Sequence, residues 1–364
     1  MHILHVVGAR PNFIKAAAVM KALCAYGVKQ TLVHTGQHYD ANMSSIFFVE
    51  LGIPQPHFNL DAGSGADNSQ TADIVRRIQP ILVEFRPDIL FVYGDVNSTI
   101  AASLAGSKLR IPICHVEAGL RSFDKTMPEE INRIVTDHLS EVLFAHCEDA
   151  VTNLTREGIP EQRIHFVGNV MIDSLIRFLP LAKQYKLDGL PSRYALITLH
   201  RPSNVDNPEV LNEIVKALVE INTELQVVFP VHPRTRRHIA EFGIDARPLR
   251  LVDPVSYIQF LALESRATVV ITDSGGVQEE TTHLKVPCIT LRENTERPIT
   301  VTMGTNVLVG QNRSRLKEEV RRVLNQERTQ AITPPLWDGH AAERTAAIVM
   351  EVFGREAKAA AAAV

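Results

Sequence analysis

The 364 residues carry none of the short signatures that most often announce a nucleotide or metal enzyme. No GxGxxG fingerprint follows a strand-like run, no GxxxxGK phosphate loop occurs, and no HExxH motif offers a zinc site. The common route to a nicotinamide is thereby removed, and neither a cofactor nor a metal is expected. Cysteine is scarce. Cys24, Cys114, Cys147 and Cys288 stand apart without CxxC spacing, each in apolar surroundings, so core thiols are expected rather than ligands or disulfides. Charge of one sign is lacking too: 38 Lys and Arg against 41 Asp and Glu leave a formal net charge of -3. That balance argues against nucleic acid or an anionic membrane as partner, so any anion site has to be local. No apolar run approaches membrane-spanning length, and Met1-His2-Ile3-Leu4-His5 enters a strand at once, without a basic region or cleavage site. A cytoplasmic location is expected.

What is present is an ordinary globular composition, 45% hydrophobic and 22% charged, in a chain long enough for two domains. Apolar runs at Ile3 to Val7, Thr31 to His34, Ile89 to Tyr93, Ile113 to Val116, Val142 to Ala145 and His165 to Val167 alternate with helical stretches. Such alternation predicts a parallel sheet with helices on both faces, and ligands of these sheets bind beyond the carboxyl ends of the strands. After Gly168-Asn169 the pattern restarts, with strands at Ala195 to Thr198, Gln226 to Pro230, Leu249 to Val252, Thr268 to Ile271 and Cys288 to Leu291. The expected fold is α/β, two Rossmann-like domains facing across a cleft, covering residues 1–168 and 169–340. An amphipathic helix from Ala341 to Phe353 is expected to cross the junction and join the first domain, with a frayed alanine-rich tail after Arg355.

The chain's most informative stretch is Asp273-Ser274-Gly275-Gly276-Val277-Gln278-Glu279-Glu280, directly after a β-branched run. A strand feeding a tight turn and helix exposes the first helical N–H groups, which form an anion site, and the two glycines let a diphosphate approach the backbone. Glu280, one turn further in, could reach ribose hydroxyls. The plainer alternative is that Ser274 merely caps a helix.

Other strand ends carry charge. The first leads into Gly8-Ala9-Arg10-Pro11-Asn12-Phe13-Ile14-Lys15, where Arg10 and Lys15 bring positive charge to the crevice. Asp95 follows the third strand and either caps the next helix or serves as an acid/base group. Glu117 stands at the end of the fourth with no capping geometry to explain it. Pro128-Glu129-Glu130 marks a helix N-terminus, and Glu129 shares a face with Arg133, which would favour its ionised form. His200 at a strand end beside Arg201 is a candidate proton carrier, His232 a weaker one, and Arg297 could finish a diphosphate clamp. The Gly- and Asp-rich segment from Pro54 to Ser69 reads as a lid or as disorder.

Taken together, Gly8-Ala9-Arg10-Pro11 with Lys15, Gly94-Asp95, His115 to Arg121, Pro128-Glu129-Glu130, His200-Arg201, Asp273 to Glu280 and Thr295-Glu296-Arg297-Pro298 resemble the non-hydrolysing UDP-N-acetylglucosamine 2-epimerases. The resemblance spans nearly the whole chain in the family's order. It implies the two-domain glycosyltransferase B architecture, a homodimer, and interconversion of UDP-GlcNAc and UDP-ManNAc without a redox cofactor, serving cell-surface polysaccharide synthesis. UDP is expelled to leave 2-acetamidoglucal and is then added back. By that resemblance Asp95, Glu117, Glu129 and His200 are catalytic. Arg10, Lys15, Val255, Phe260, Ser274, Gly275, Gly276, Glu280 and Arg297 bind substrate, with uracil at Val255 and Phe260 and ribose at Glu280. Members regulated by a second UDP-GlcNAc use glutamines and an arginine where this chain has Gln37, Asp40 and Ser69, so that regulation is not expected here. His34 to Met43 also resembles the sister epimerases of UDP-2,3-diacetamido-glucuronate.

Overall fold

The computed structural model describes residues 1–36, 50–63, 67–187, 189–325 and 331–362. The chain divides into two compact units, Met1–Ser174 with Pro335–Val364, and Leu175–Pro334. The division falls a few residues from the expected 168 and 340, because the helix Val170–Gln184 runs across it.

The first unit is built on a parallel sheet of β1 (His2–Val7), β2 (Lys29–His34), β3 (Phe58–Asn59), β4 (Ile89–Tyr93), β5 (Ile113–Ala118), β6 (Val142–Ala145) and β7 (Ile164–Phe166). Their order is β3-β2-β1-β4-β5-β6-β7. The central strands are buried along their length, as continuous apolar runs require when helices cover both faces. On one face Leu4, Val6, Leu90 and Val92 pack with Ile74, Ile78 and Leu82 of the helix Asp67–Phe85 and with Ala101, Ala102 and Ala105 of the helix Asn97–Lys108. Strand order reverses between β1 and β4, so their carboxyl ends diverge and open the crevice such sheets use for ligands.

The second unit repeats the plan with β8 (Ala195–Thr198), β9 (Val227–Pro230), β10 (Arg250–Val252), β11 (Val269–Thr272), β12 (Cys288–Thr290) and β13 (Asn306–Leu308), ordered β10-β9-β8-β11-β12-β13. Here the reversal lies between β8 and β11, which puts the turns after Thr198 and after Thr272 side by side.

The segment after Pro335 belongs to the first unit. Trp337 is buried and its indole N–H donates to the His146 carbonyl at 3.0 Å, while Asp173 accepts from the backbone N–H groups of Ala341 and Ala342 at 3.2 and 2.6 Å. That carboxylate satisfies the bare amides at the start of the helix Ala341–Ala362, which packs against the helix Arg10–Cys24.

Three expectations need correction. Cys24 is exposed, unlike the buried Cys114, Cys147 and Cys288: it ends its helix one residue past the buried Leu23, where the periodicity turns outward. The segment from Pro54 to Ser69 is in part regular structure, since it holds β3 and the start of the helix Asp67–Phe85. Finally β13, a three-residue edge strand, has too short an apolar run to show as a separate element. Gln37 and Asp40, with most of the His34 to Met43 stretch, lie outside the described residues; Ser69 is exposed.

Candidate active site

Beyond β1 and β4 the first unit gathers buried charge. The Asn12 side chain accepts from the N–H groups of Gly8 and Ala9 at 3.1 and 3.0 Å and donates to the Tyr93 carbonyl at 2.8 Å, which ties the β1 turn to the end of β4. Lys15, one turn along, meets Glu117 in an ion pair of 2.6 Å in which the side chains are 5% and 3% exposed. Gly94 lies beside this pair: a Cβ there would sit 3.0 Å from the Lys15 Nζ. Glu117 itself has φ +71°, and the pairing of β5 with β6 slips between Val116 and Ala118. A glutamate in the left-handed region costs about 1–3 kcal/mol, and bulges of this kind redirect a side chain out of the ladder.

Asp95 does not cap the helix Asn97–Lys108, whose N-cap is Val96; its carboxylate instead receives the Arg133 guanidinium, with Nε at 2.9 Å and Nη2 at 2.8 Å. The same guanidinium pairs with buried Glu130, whose carboxylate also accepts from the backbone N–H groups of Ser122 and Phe123, each at 2.9 Å. Arg133 is therefore committed to Asp95 and Glu130 rather than to Glu129. Four residues of separation puts the two on one face, but Arg133 turns inward to the acids already committed there. Glu129 is half-buried, and its carboxylate makes no hydrogen bond or ion pair among the described residues. Arg10, half-buried, opens the helix Arg10–Cys24.

In the second unit, His200 follows β8 and Asp273 follows β11, so the parallel register of Thr198 with Thr272 makes them neighbours. His200 Nδ1 lies 3.0 Å from the Asp273 carboxylate, which also accepts from the backbone N–H groups of His200 and Arg201 and from the Asn204 amide. Burial alone would raise the Asp273 carboxyl, but His200 and these donors hold it below the usual range. The His200 ring is thus oriented while remaining 47% exposed. Ser274 takes the N-cap position of the helix Gly275–Leu284 without its side chain accepting a bond, so the capping alternative is not realised. A Cβ on Gly275 would overlap the Arg297 guanidinium, which is held by Glu279 at 3.0 Å and by Glu296. Arg292 braces Glu296 from the far side at 2.6 Å. Gly276 is half-buried. Val255 and Phe260 flank the Ser256 cap of the helix Tyr257–Glu264, partly buried against Leu196, Val228 and Val270.

A model of the UDP-N-acetylglucosamine 2-epimerases matches residues 21–350 of the chain. The chain belongs to this family. A UDP-N-acetylglucosamine 2-epimerase from Methanocaldococcus jannaschii is 43% identical over 358 residues, covering 94% of this chain and 97% of the relative. A UDP-2,3-diacetamido-2,3-dideoxy-D-glucuronate 2-epimerase from Pseudomonas aeruginosa is 46% identical over 327 residues, covering 88% and 92%. The crystal structure of the M. jannaschii UDP-GlcNAc 2-epimerase in complex with UDP-GlcNAc and UDP superimposes with a TM-score of 0.92, at 43% identity, over 96% of this chain and 100% of that one.

In this epimerase-family chain the second unit holds two buried carboxyl groups, Glu280, which the sequence singled out, and Glu264, which it did not. Glu280 is buried and accepts from the Tyr257 hydroxyl at 2.9 Å. Burial pushes the Glu280 carboxyl up to about 7; the Tyr257 bond pulls the other way, and the Glu279 charge adds to the rise. Nearby Glu264 is fully buried, and neither of its oxygens has a hydrogen-bond partner among the described residues. Burial first, then the Glu280 charge, pushes the Glu264 carboxyl well above its ordinary value. A carboxyl so raised stays protonated in the folded protein while the unfolded chain ionises. Its stabilising contribution is complete below the unfolded pKa and is lost as pH rises through the folded one. Glu264→Gln should accordingly be close to neutral at mildly acidic pH, where the unfolded carboxyl is still protonated, and increasingly stabilising as pH rises above that. Urea midpoints measured at mildly acidic and at higher pH check this, and a mutational effect independent of pH would refute it.

Asp273, Asp137 and Glu264 are the functional candidates that the sequence alone did not mark. Only Asp273 left a trace, as the first residue of the glycine turn.

Proposed function

We propose that this chain interconverts UDP-GlcNAc and UDP-ManNAc by elimination and re-addition of UDP. The observation that carries the reading is Glu117, a carboxylate held in a strained backbone conformation and paired with buried Lys15 at the mouth of the first sheet. The C2 hydrogen of the sugar lies next to no carbonyl, so inversion at C2 needs either transient oxidation or a leaving group. Elimination supplies the second: a carboxylate takes the C2 proton as the C1–O bond breaks, giving 2-acetamidoglucal and UDP. A second carrier then delivers a proton to the opposite face of C2 while a diphosphate oxygen returns to C1.

Asp95, Glu117 and Glu129 are the proton carriers in this scheme, and His200, oriented by Asp273, assists at the anomeric or phosphate side. The amides of Ser274, Gly275 and Gly276, with Arg10, Lys15 and Arg297, offset the charge that grows on departing UDP, which is often the largest single catalytic effect. Glu280 accepts from the ribose hydroxyls, and Val255 and Phe260 hold the uracil. The reaction needs no cofactor. We place it in the cytoplasm, in a homodimer, supplying precursors of cell-surface polysaccharide.

Incubation with UDP-GlcNAc in D2O tests the scheme. Deuterium should enter C2 of the recovered nucleotide sugars, and substrate recovered without exchange would refute it. The P. aeruginosa relative favours a second reading, in which the sugar is UDP-2,3-diacetamido-glucuronate. Exchange measured on both substrates side by side separates the two.

A further inference from the structure

Asp137 lies in the helix Pro128–Leu139 and is fully buried, yet it is absent from the scheme above. Its two oxygens hold both flanks of Glu117. Oδ1 accepts from His115 Nδ1 at 2.7 Å, two residues before the glutamate. Oδ2 accepts from the Gly119 N–H at 3.1 Å, two residues after it, and from Arg121 Nη2 at 2.8 Å. The far nitrogen of His115, Nε2, lies 2.8 Å from the Gly94 carbonyl, at the peptide that leads into Asp95. Both ring nitrogens of His115 are thus engaged, one by the Asp137 carboxylate and one by the Gly94 carbonyl. Arg121 is fixed in turn by Glu157, with bonds of 2.7 and 2.6 Å. Asp137 thus links His115 to Arg121, and Arg121 is held by Asp137 and Glu157 together.

Such a cluster immobilises backbone. Glu117 with φ +71° and Gly119 with φ +82° form an unfavourable stretch that persists only if its surroundings determine it. Gly119 is pressed so close to the Ala150 carbonyl that a Cβ would overlap it.

We propose that Asp137 is the positioning residue of the reaction: through Gly119 and His115 it locks the strained Glu117 turn, and through the far nitrogen of the His115 ring it fixes the Gly94 peptide that aims Asp95. The inference rests on the proposed function, in which Glu117 and Asp95 carry protons. Positioning of this kind acts on the chemical step, because a proton carrier displaced by about 1 Å loses on the order of a hundredfold. It leaves the residues assigned to uracil and ribose in the other unit untouched.

The test uses the full-length protein and the exchange assay in D2O, with UDP affinity measured by calorimetry. Asp137→Asn keeps the size, but its single acceptor oxygen cannot serve His115, Gly119 and Arg121 together. Its kcat should fall about ten- to a hundredfold while KM and the UDP Kd stay within about twofold of wild type. His115→Asn breaks the same clamp from its other end and should show the same selective loss, which provides a second route if Asp137→Asn does not fold. A fall in kcat matched by an equal rise in KM, or wild-type kcat in either folded variant, would overturn the proposal, as would failure of both variants to fold. Absence of exchange by the wild-type protein would instead overturn the functional reading on which the proposal rests.

Discussion

Glu117→Gln is expected to lose about a hundred- to ten-thousand-fold in turnover, the range typical for removal of a general acid or base. UDP affinity should persist, because Arg10, the amides of Ser274 to Gly276, Glu280 and Arg297 are all left in place. The ion pair with Lys15 adds a complication that can be used. Removing one partner of a buried pair leaves the other charge uncompensated, at a cost of about 3–5 kcal/mol, so the variant should also melt earlier. Lys15→Met combined with Glu117→Gln removes both charges and should recover much of that stability with no recovery of turnover. Deuterium incorporation at C2 gives the rate and thermal denaturation gives the stability. If the double variant regained turnover along with stability, Glu117 would be a structural partner of Lys15, and the proton carrier would have to be Asp95 or Glu129.

A second loss, in binding rather than turnover, is expected on the nucleotide side from Gly275→Ala. The added Cβ would stand 2.7 Å from Arg297 Cζ and 2.8 Å from Glu296 Oε1. Arg297 has nowhere to retreat: its side chain is 7% exposed, with Glu279 on one side and Glu296 on the other, and Glu296 is itself braced by Arg292. Overfilling a packed site costs about 1–3 kcal/mol, and here the strain falls on the turn whose amides are assigned to the diphosphate. UDP affinity should drop by about tenfold or more, since each ~1.4 kcal/mol is a factor of ten. Calorimetric titration with UDP decides the matter; an unchanged Kd would remove the diphosphate from this turn.

Both variants concern residues that the sequence singled out, and the reason is geometric. In a doubly wound sheet the useful residues follow strand carboxyl ends, so locating β-branched runs locates Gly94-Asp95, Glu117, His200 and the turn at Ser274. Local rules carry that far. They fail where a side chain chooses a partner distant in the chain. Arg133 could be placed on the face of Glu129 from helical spacing alone, but its actual partner Asp95 lies 38 residues away. Asp273 and His200 are 73 residues apart and become a pair only through the register of β8 with β11. Asp137 occupies one polar position of the helix Pro128–Leu139, and its three bonds depend on how that helix meets the end of β5. Nor could spacing reveal the strain at Glu117, because a positive φ leaves no mark on composition when the residue is not glycine.

The way Trp337 seats itself against His146 determines how this molecule can be observed as it forms. It is the single tryptophan of the chain, and its hydrogen bond spans 191 residues. The whole of the second unit is threaded between the two ends of that contact, so a ribosome releases residues 175–334 before the first unit receives its last piece. Closing so long a loop is entropically costly and slow, and contacts of such separation belong to the late stages of folding. Indole fluorescence therefore registers the completion of the first unit and is blind to the second. A refolding trace read at that wavelength times the final docking event, whereas the second unit needs a separate optical probe, for which exposed Tyr185 offers a surface position.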